Sequence, residues 1–151
     1  MADAPIVAFD KTLLVRDACL CLHMQRAARV LARRFDEALR PVGLTNEQFS
    51  LLMSLQRPEP PTMGDVASLL GADRTTLTGA LKKLERRGLA KVSVDREDRR
   101  VRRIALTAKG RTCLAAAFPM WDEAHRALEA ELARINPVKL RRDLRSVASM
   151  R

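Results

Sequence analysis

The chain has 151 residues, 28 of them Lys or Arg and 18 Asp or Glu, for a formal net charge of +10. At 47% hydrophobic and 30% charged it holds enough apolar material for a core, which excludes wholesale disorder. Three cysteines cannot build a disulfide framework, no apolar run approaches the ~18 residues of a membrane span, and the N-terminal stretch lacks a basic-then-apolar signal pattern. The expectation is one basic, cytoplasmic domain with no membrane partner, and nucleic acid is the first partner to consider.

Residues Lys11 to about Arg40 read as one long helix, because Leu20, Met24, Ala27, Leu31, Phe35 and Ala38 recur at three- and four-residue steps. Leu13, Leu14, Leu22, Val30 and Leu39 widen that stripe beyond what one side of a small domain covers, which implies a subunit partner. Pro41 and Gly43 end the helix. Thr45-Asn-Glu-Gln48 is a capping box opening a second helix, about Asn46 to Gln56, with Phe49, Leu52, Met53 and Leu55 as anchors. Arg57-Pro-Glu-Pro-Pro61 makes a stiff turn. Thr62 caps a third helix through about Leu70, with Asp65 at its third position and Val66, Leu69 and Leu70 expected inside.

Gly71-Ala72 breaks that helix, and Asp73 caps a fourth from Arg74 to Arg87. Leu77, Ala80, Leu81 and Leu84 share one of its faces, and Gly88 stops it. Helix, short glycine turn and capped second helix is the spacing of a helix-turn-helix. Leu89 to Val94 and Val101 to Leu106 are strand-compatible runs flanking the charged tip Asp95-Arg-Glu-Asp-Arg-Arg100, which makes a hairpin wing. Thr107 caps a long helix to about Ile135, in which Pro119 is expected to kink the helix rather than end it. Asn136-Pro137 starts a final helix to about Ala148.

The charge is concentrated on this wing and the helix before it. Arg74 to Arg111 carries +9, and the rest of the chain carries +1. A helix fits the major groove with its N-terminal side chains near base edges, so Arg74, Thr75, Thr76 and Thr78 are candidate readers, with Lys82 and Lys83 set for phosphates. Arg96, Arg99 and Arg100 sit on a narrow tip of the shape that enters a minor groove, where negative potential concentrates. The alternatives are ordinary helix surface for the threonines and a charged turn for the arginines.

The sequence resembles the MarR family of bacterial transcriptional regulators over nearly its whole length. The resemblance rests on Leu44-Thr45 with Gln48-Phe49, on Thr62-Met-Gly-Asp65-Val-Ala67 and on Asp73-Arg-Thr-Thr-Leu-Thr78. It continues through Leu84-Glu-Arg-Arg-Gly-Leu89 and the wing run Asp95 to Arg100, followed by Thr107-Ala-Lys-Gly110. It implies a mostly α fold with a minor β part, a winged helix-turn-helix lobe at about 45–106 between dimerisation helices at about 11–43 and 107–151. It also implies a homodimer on a pseudo-palindromic duplex operator, usually as a repressor. On the family pattern Asp98 orders the wing, Arg100 enters the minor groove, and Arg74 to Thr78 lie in the major groove.

Family members often bind small aromatic acids between the dimer helices and the DNA-binding lobe. By position the walls here would be Leu22, Arg26, Phe49, Met53 and Trp121, of which Arg26 could pair a carboxylate; packing in the core is the plainer role for most of them. Cys21, with Arg29 downstream, resembles the reactive-cysteine region of organic-peroxide sensors in the family. The chain has no tyrosine, and Gln25 and Phe35 stand where the hydroxyl-bearing rings of those sensors would be expected. Cys113 reads as packing and His125 as a helix-surface or pocket residue. Cys19, Cys21 and His23 do not share a helix face, so no metal site is expected. No phosphate loop, nucleophile elbow or acid pair points to an enzyme, and no cofactor is implied. A non-specific architectural nucleic-acid binder is the rival class, although aromatics at 3% argue against an RNA-stacking module.

Overall fold

The computed structural model describes residues 6–150. Helices α1 (Phe9–Ala18) and α2 (Leu20–Leu39) are followed by a short 3-10 turn at Arg40–Val42. Then come α3 (Asn46–Leu55), α4 (Met63–Leu70), α5 (Arg74–Arg86), β1 (Ala90–Val94), β2 (Arg102–Leu106), α6 (Ala108–Glu131) and α7 (Pro137–Ala148). No described helix is long and apolar enough to cross a membrane.

The first helix expected from the sequence is two. Cys19 leaves the helical region (φ −73°, ψ 104°), and its Sγ accepts the Leu22 N–H at 3.4 Å, so the cysteine acts as the N-cap of α2. The apolar period crosses this joint unbroken, and neither Pro nor Gly marks it. The other starts follow their caps. Thr45 with Gln48 and Thr62 with Asp65 form reciprocal boxes, and Asp73, Thr107 and Asn136 each accept an N–H three residues on. Pro119 lies inside α6, which continues through it to Glu131.

The core joins Leu39, Leu44, Phe49, Leu51, Leu52 and Leu55 to Val66, to Leu77, Leu81 and Leu84, to the wing through Leu89, Ile104 and Leu106, and to Leu114 and Ala117 of α6. Leu69 is an exception to the expected inward set, being exposed while Val66 is buried and Leu70 half-buried; Met53 is likewise exposed. Burying Leu77, Leu81 and Leu84 is worth on the order of 1.5–3 kcal/mol each. That inner face fixes α5 and leaves its opposite face in solvent.

The wing pairs β1 with β2 antiparallel, from Ala90 opposite Leu106 to Val94 opposite Arg102. The proline strap runs along its edge: Ile104 N–H donates to the Pro61 carbonyl at 3.0 Å, and Thr62 bridges Arg103. The start of α6 is clamped onto the turn after α5. Thr107 Oγ1 donates to the Gly88 carbonyl (2.6 Å), Thr107 N–H to that of Leu89 (3.1 Å) and Lys109 Nζ to that of Arg87 (2.8 Å). Arg34 grips Glu131 with two 2.7 Å bonds, which ties α2 to α6. Helices α1 and α7 bury no residue within the protomer.

Candidate nucleic-acid interface

Asp73 sets the start of α5. Its carboxylate accepts the Thr76 N–H at 2.8 Å and the Thr76 hydroxyl at 2.7 Å, and these bonds hold its pKa below the ordinary carboxylate value. At about 100° per residue, with Leu77, Leu81 and Leu84 inside, Thr75, Gly79, Lys82 and Arg86 form the outermost stripe. Thr76 and Lys83 lie to one side of this stripe, Arg74 and Thr78 to the other, and all of these residues are exposed. The Thr78 hydroxyl donates to the Arg74 carbonyl at 2.7 Å. The hydroxyl protons of Thr76 and Thr78 therefore have local acceptors, whereas the Thr75 hydroxyl has no partner among the described residues.

Two concavities flank the helix. One of about 340 Å³ lies towards the start of α3, among Thr45, Gln48, Thr75, Thr76 and Lys83. The other, of about 370 Å³, lies towards α4 and the wing root and is lined by residues that include Arg74, Thr78, Arg100 and Arg102.

Two aspartates shape the wing tip. Asp98 accepts the Arg100 backbone N–H at 2.9 Å and its guanidinium at 3.2 Å, which lowers the Asp98 pKa. The Arg100 side chain remains 91% exposed, and Arg96 and Arg99 are exposed as well. Asp95 does more than the sequence indicated. It is ion-paired with Arg103 and accepts the N–H groups of Glu97 and Asp98, both at 2.9 Å. The guanidinium and those two N–H groups hold its carboxyl at about 2. Arg103 also donates to the Pro60 carbonyl at 2.9 Å, so one side chain joins tip, strand and strap. The sequence alone could have found this pair only through the hairpin register, which places positions 95 and 103 near each other across the ribbon.

Among the residues expected to line a ligand site, Phe49 and Trp121 stack with ring centroids 5.8 Å apart. Phe35, Phe118 and His125 surround the same indole at 6.4, 5.9 and 4.7 Å. Leu22 is half-buried, Met53 and Arg26 are exposed, and Arg26 makes no hydrogen bond or ion pair among the described residues. Cys21 is exposed, and its Sγ accepts an N–H from Gln25 at 3.3 Å; Gln25 in turn accepts from Arg29 at 3.2 Å. Cys113 is half-buried against the core.

The MarR family model matches residues 44–101, from the approach to α3 through the wing tip. The structure resembles the transcriptional regulator MosR of Mycobacterium tuberculosis solved in complex with DNA. The TM-score is 0.79 at 40% identity, over 86% of this chain and 93% of that one. The transcriptional repressor CouR bound to a 23-mer DNA duplex gives 0.77 at 31% identity, over 89% and 95%. CouR of Rhodococcus jostii bound to p-coumaroyl-CoA gives 0.75 at 26%, over the same shares. The transcriptional activatory protein BadR of Rhodopseudomonas palustris is 34% identical over 95 residues, which are 61% of this chain and 54% of BadR. The chain spans about half of BadR's length. The recognition-helix and wing geometry agree with these likenesses: the chain belongs to the MarR family, as a DNA-binding transcriptional regulator with a winged helix-turn-helix fold.

Proposed function

We propose that the protein is a homodimeric repressor that binds a pseudo-palindromic operator and is released from it by a small phenolic or aromatic acid. The observation that carries the DNA-reading part is the adjacency of α5 and the wing. Three buried leucines anchor α5 from behind, while its exposed side shares one concavity with the wing root. In this reading Arg74 and Thr75 bring hydrogen-bond donors to base edges. Thr76 and Thr78 contribute methyl groups and oxygen lone pairs, because their protons have local acceptors. Lys82 and Lys83 contact phosphates. Arg96, Arg99 and Arg100 serve the adjacent minor groove, with Asp98 and Asp95 holding the tip in shape.

A second copy is the fitting occupant of α1 and α7, which bury nothing alone and expose Phe9, Leu14, Val15, Val138, Leu144 and Val147. Two copies would set their recognition helices about one duplex turn apart. The aromatic cluster around Trp121 lies where α2, α3 and α6 meet. Leu22, Arg26, Phe49, Met53 and Trp121 are proposed to line a ligand site there once the partner is in place, and CouR's acyl-CoA complex supports that chemistry. A second reading rests on Cys21: an exposed thiol accepting an amide N–H suits oxidation by an organic peroxide.

The test begins with selection from a random duplex library. The wild-type protein should enrich an inverted repeat, and Arg100→Ala should lose the preference for it while sedimenting as the same dimer. A wild-type preference ratio near one at physiological salt would instead mark a non-specific architectural protein. Release of the enriched duplex by salicylate-like acids supports the ligand reading. Release by cumene hydroperoxide that disappears in Cys21→Ser transfers the assignment to the thiol.

A further inference from the structure

The concavity between α5 and the wing marks the adjacency of the two DNA-reading elements, but no part of the duplex has yet been assigned to it. In a B-form duplex a major groove is separated from the neighbouring minor groove by one sugar–phosphate backbone. A protomer with α5 in the first and Arg100 in the second must let that strand pass between them. The ground it crosses is the notch of about 370 Å³ lined by Thr62 and Gly64 from the start of α4, Arg74 and Thr78 from α5, and Arg100 and Arg102 from the wing.

The lining has the chemistry of an anion seat. It carries three guanidiniums and no carboxylate. Its hydroxyl protons point elsewhere: Thr62 Oγ1 donates to Asp65 at 2.8 Å and Thr78 Oγ1 to the Arg74 carbonyl at 2.7 Å. The side-chain donors left for a ligand are therefore the arginines. Arg102 is exposed, and it is braced by one bond from Nη1 to the Arg99 carbonyl at 3.0 Å, which leaves most of its five N–H groups available. A planar fork of this kind matches two phosphate oxygens at once.

We propose that this notch is a phosphodiester subsite and that Arg102 holds the DNA backbone where it crosses from major to minor groove. The inference rests on the duplex-binding reading above and adds a residue that reads no base. Phosphate oxygens could also come from free inorganic phosphate, and the experiment separates the two sources.

The full-length protein is titrated with a random-sequence duplex and with the enriched duplex across a range of salt. Arg102→Ala should flatten the plot of log K against log salt by about 0.9 per protomer, hence about 1.8 for a dimer, on both duplexes and without changing the enriched sequence. Arg102→Lys should recover most of the slope. Neutral methylphosphonates placed one at a time along the strand should reveal one position that weakens the wild type but not Arg102→Ala. That scan, run on the wild type as well, keeps the test valid if the alanine variant melts early. An unchanged slope, additive losses at every methylphosphonate or a changed base preference would overturn the assignment. So would saturable competition by inorganic phosphate at matched ionic strength, which would make the free anion the occupant. If the wild type enriches no sequence, the operator reading fails, while the slope on random duplex still decides this one.

Discussion

Gly110 offers a sharp test of how α6 is joined to the reading head. It is the third residue of α6, and a Cβ built there would sit 2.0 Å from the Leu89 carbonyl oxygen, 3.0 Å from its carbon and 3.3 Å from Leu106 Cδ2. Ordinary contact starts near 3.4 Å, so in Gly110→Ala the end of α6 must retreat by more than ~1 Å from a backbone that cannot rotate away. The same carbonyl accepts the Thr107 N–H, and the neighbouring Gly88 and Arg87 carbonyls accept from Thr107 and Lys109, so the retreat stretches three bonds together. Helix propensity favours alanine by up to about 1 kcal/mol. Overpacking costs about 1–3 kcal/mol, and each weakened hydrogen bond costs about a further 1 kcal/mol. The clash wins, with a net loss of about 3–5 kcal/mol and a melting temperature lower by about 6–20 °C for a chain of this size. Differential scanning calorimetry at fixed protein concentration measures it. A variant melting at or above the wild type would show that the clamp yields freely and would refute the reasoning.

Three further outcomes are expected. Thr75→Val should weaken the enriched duplex by about fivefold or more, whereas Thr78→Val, which keeps the methyl group and gives up only an accepting oxygen whose proton serves the Arg74 carbonyl, should cost less than Thr75→Val; fluorescence anisotropy compares them. Asp95 is depressed to about 2 in the folded wing, so its contribution is fully present above the unfolded value near pH 4 and is lost as pH falls from there through the folded value. The amide shifts of Glu97 and Asp98 should thus stay constant from about pH 5 to 8 and move in acid. Asp95→Asn should show disordered-tip shifts already at neutral pH, and identical spectra would remove Asp95 from this role. With α1 and α7 unburied in the protomer, the melting temperature should rise with protein concentration, and a value flat across a hundredfold range, roughly, would argue against an obligate dimer.

The parts of this molecule legible in its sequence are those set by neighbours three or four residues away. Thr45, Thr62, Asp73, Thr107 and Asn136 each announce a helix because the group they satisfy lies three residues on. The leucine face of α5 and the wing strands follow from simple periods. The joint at Cys19 was hidden, because a cysteine is not among the usual caps and the apolar stripe runs on regardless. Arg103 was hidden for another reason. Its partners Asp95 and Pro60 are eight and 43 residues away, and only the folded hairpin brings them together. Leu69 and Met53 fit an inward pattern yet point to solvent, since a short helix has more apolar residues than one neighbour can cover. The proposed ligand walls are not assembled in one protomer: Arg26 is exposed and makes no hydrogen bond or ion pair among the described residues, while Trp121 stacks on Phe49.

The ring cluster at the junction of α2, α3 and α6 has an optical consequence. The chain has one tryptophan and no tyrosine, so excitation of the native protein reports on Trp121 alone. That indole is half-buried against Phe35, Phe49, Phe118 and His125, at the place where the DNA-reading lobe leans on the long helices. A tilt of α6 carries Trp121 past Phe35 of α2 and Phe49 of α3, and so alters the 6.4 and 5.8 Å spacings of those rings from the indole. The emission of the unlabelled protein is therefore a built-in gauge of lobe position, traceable to a single residue.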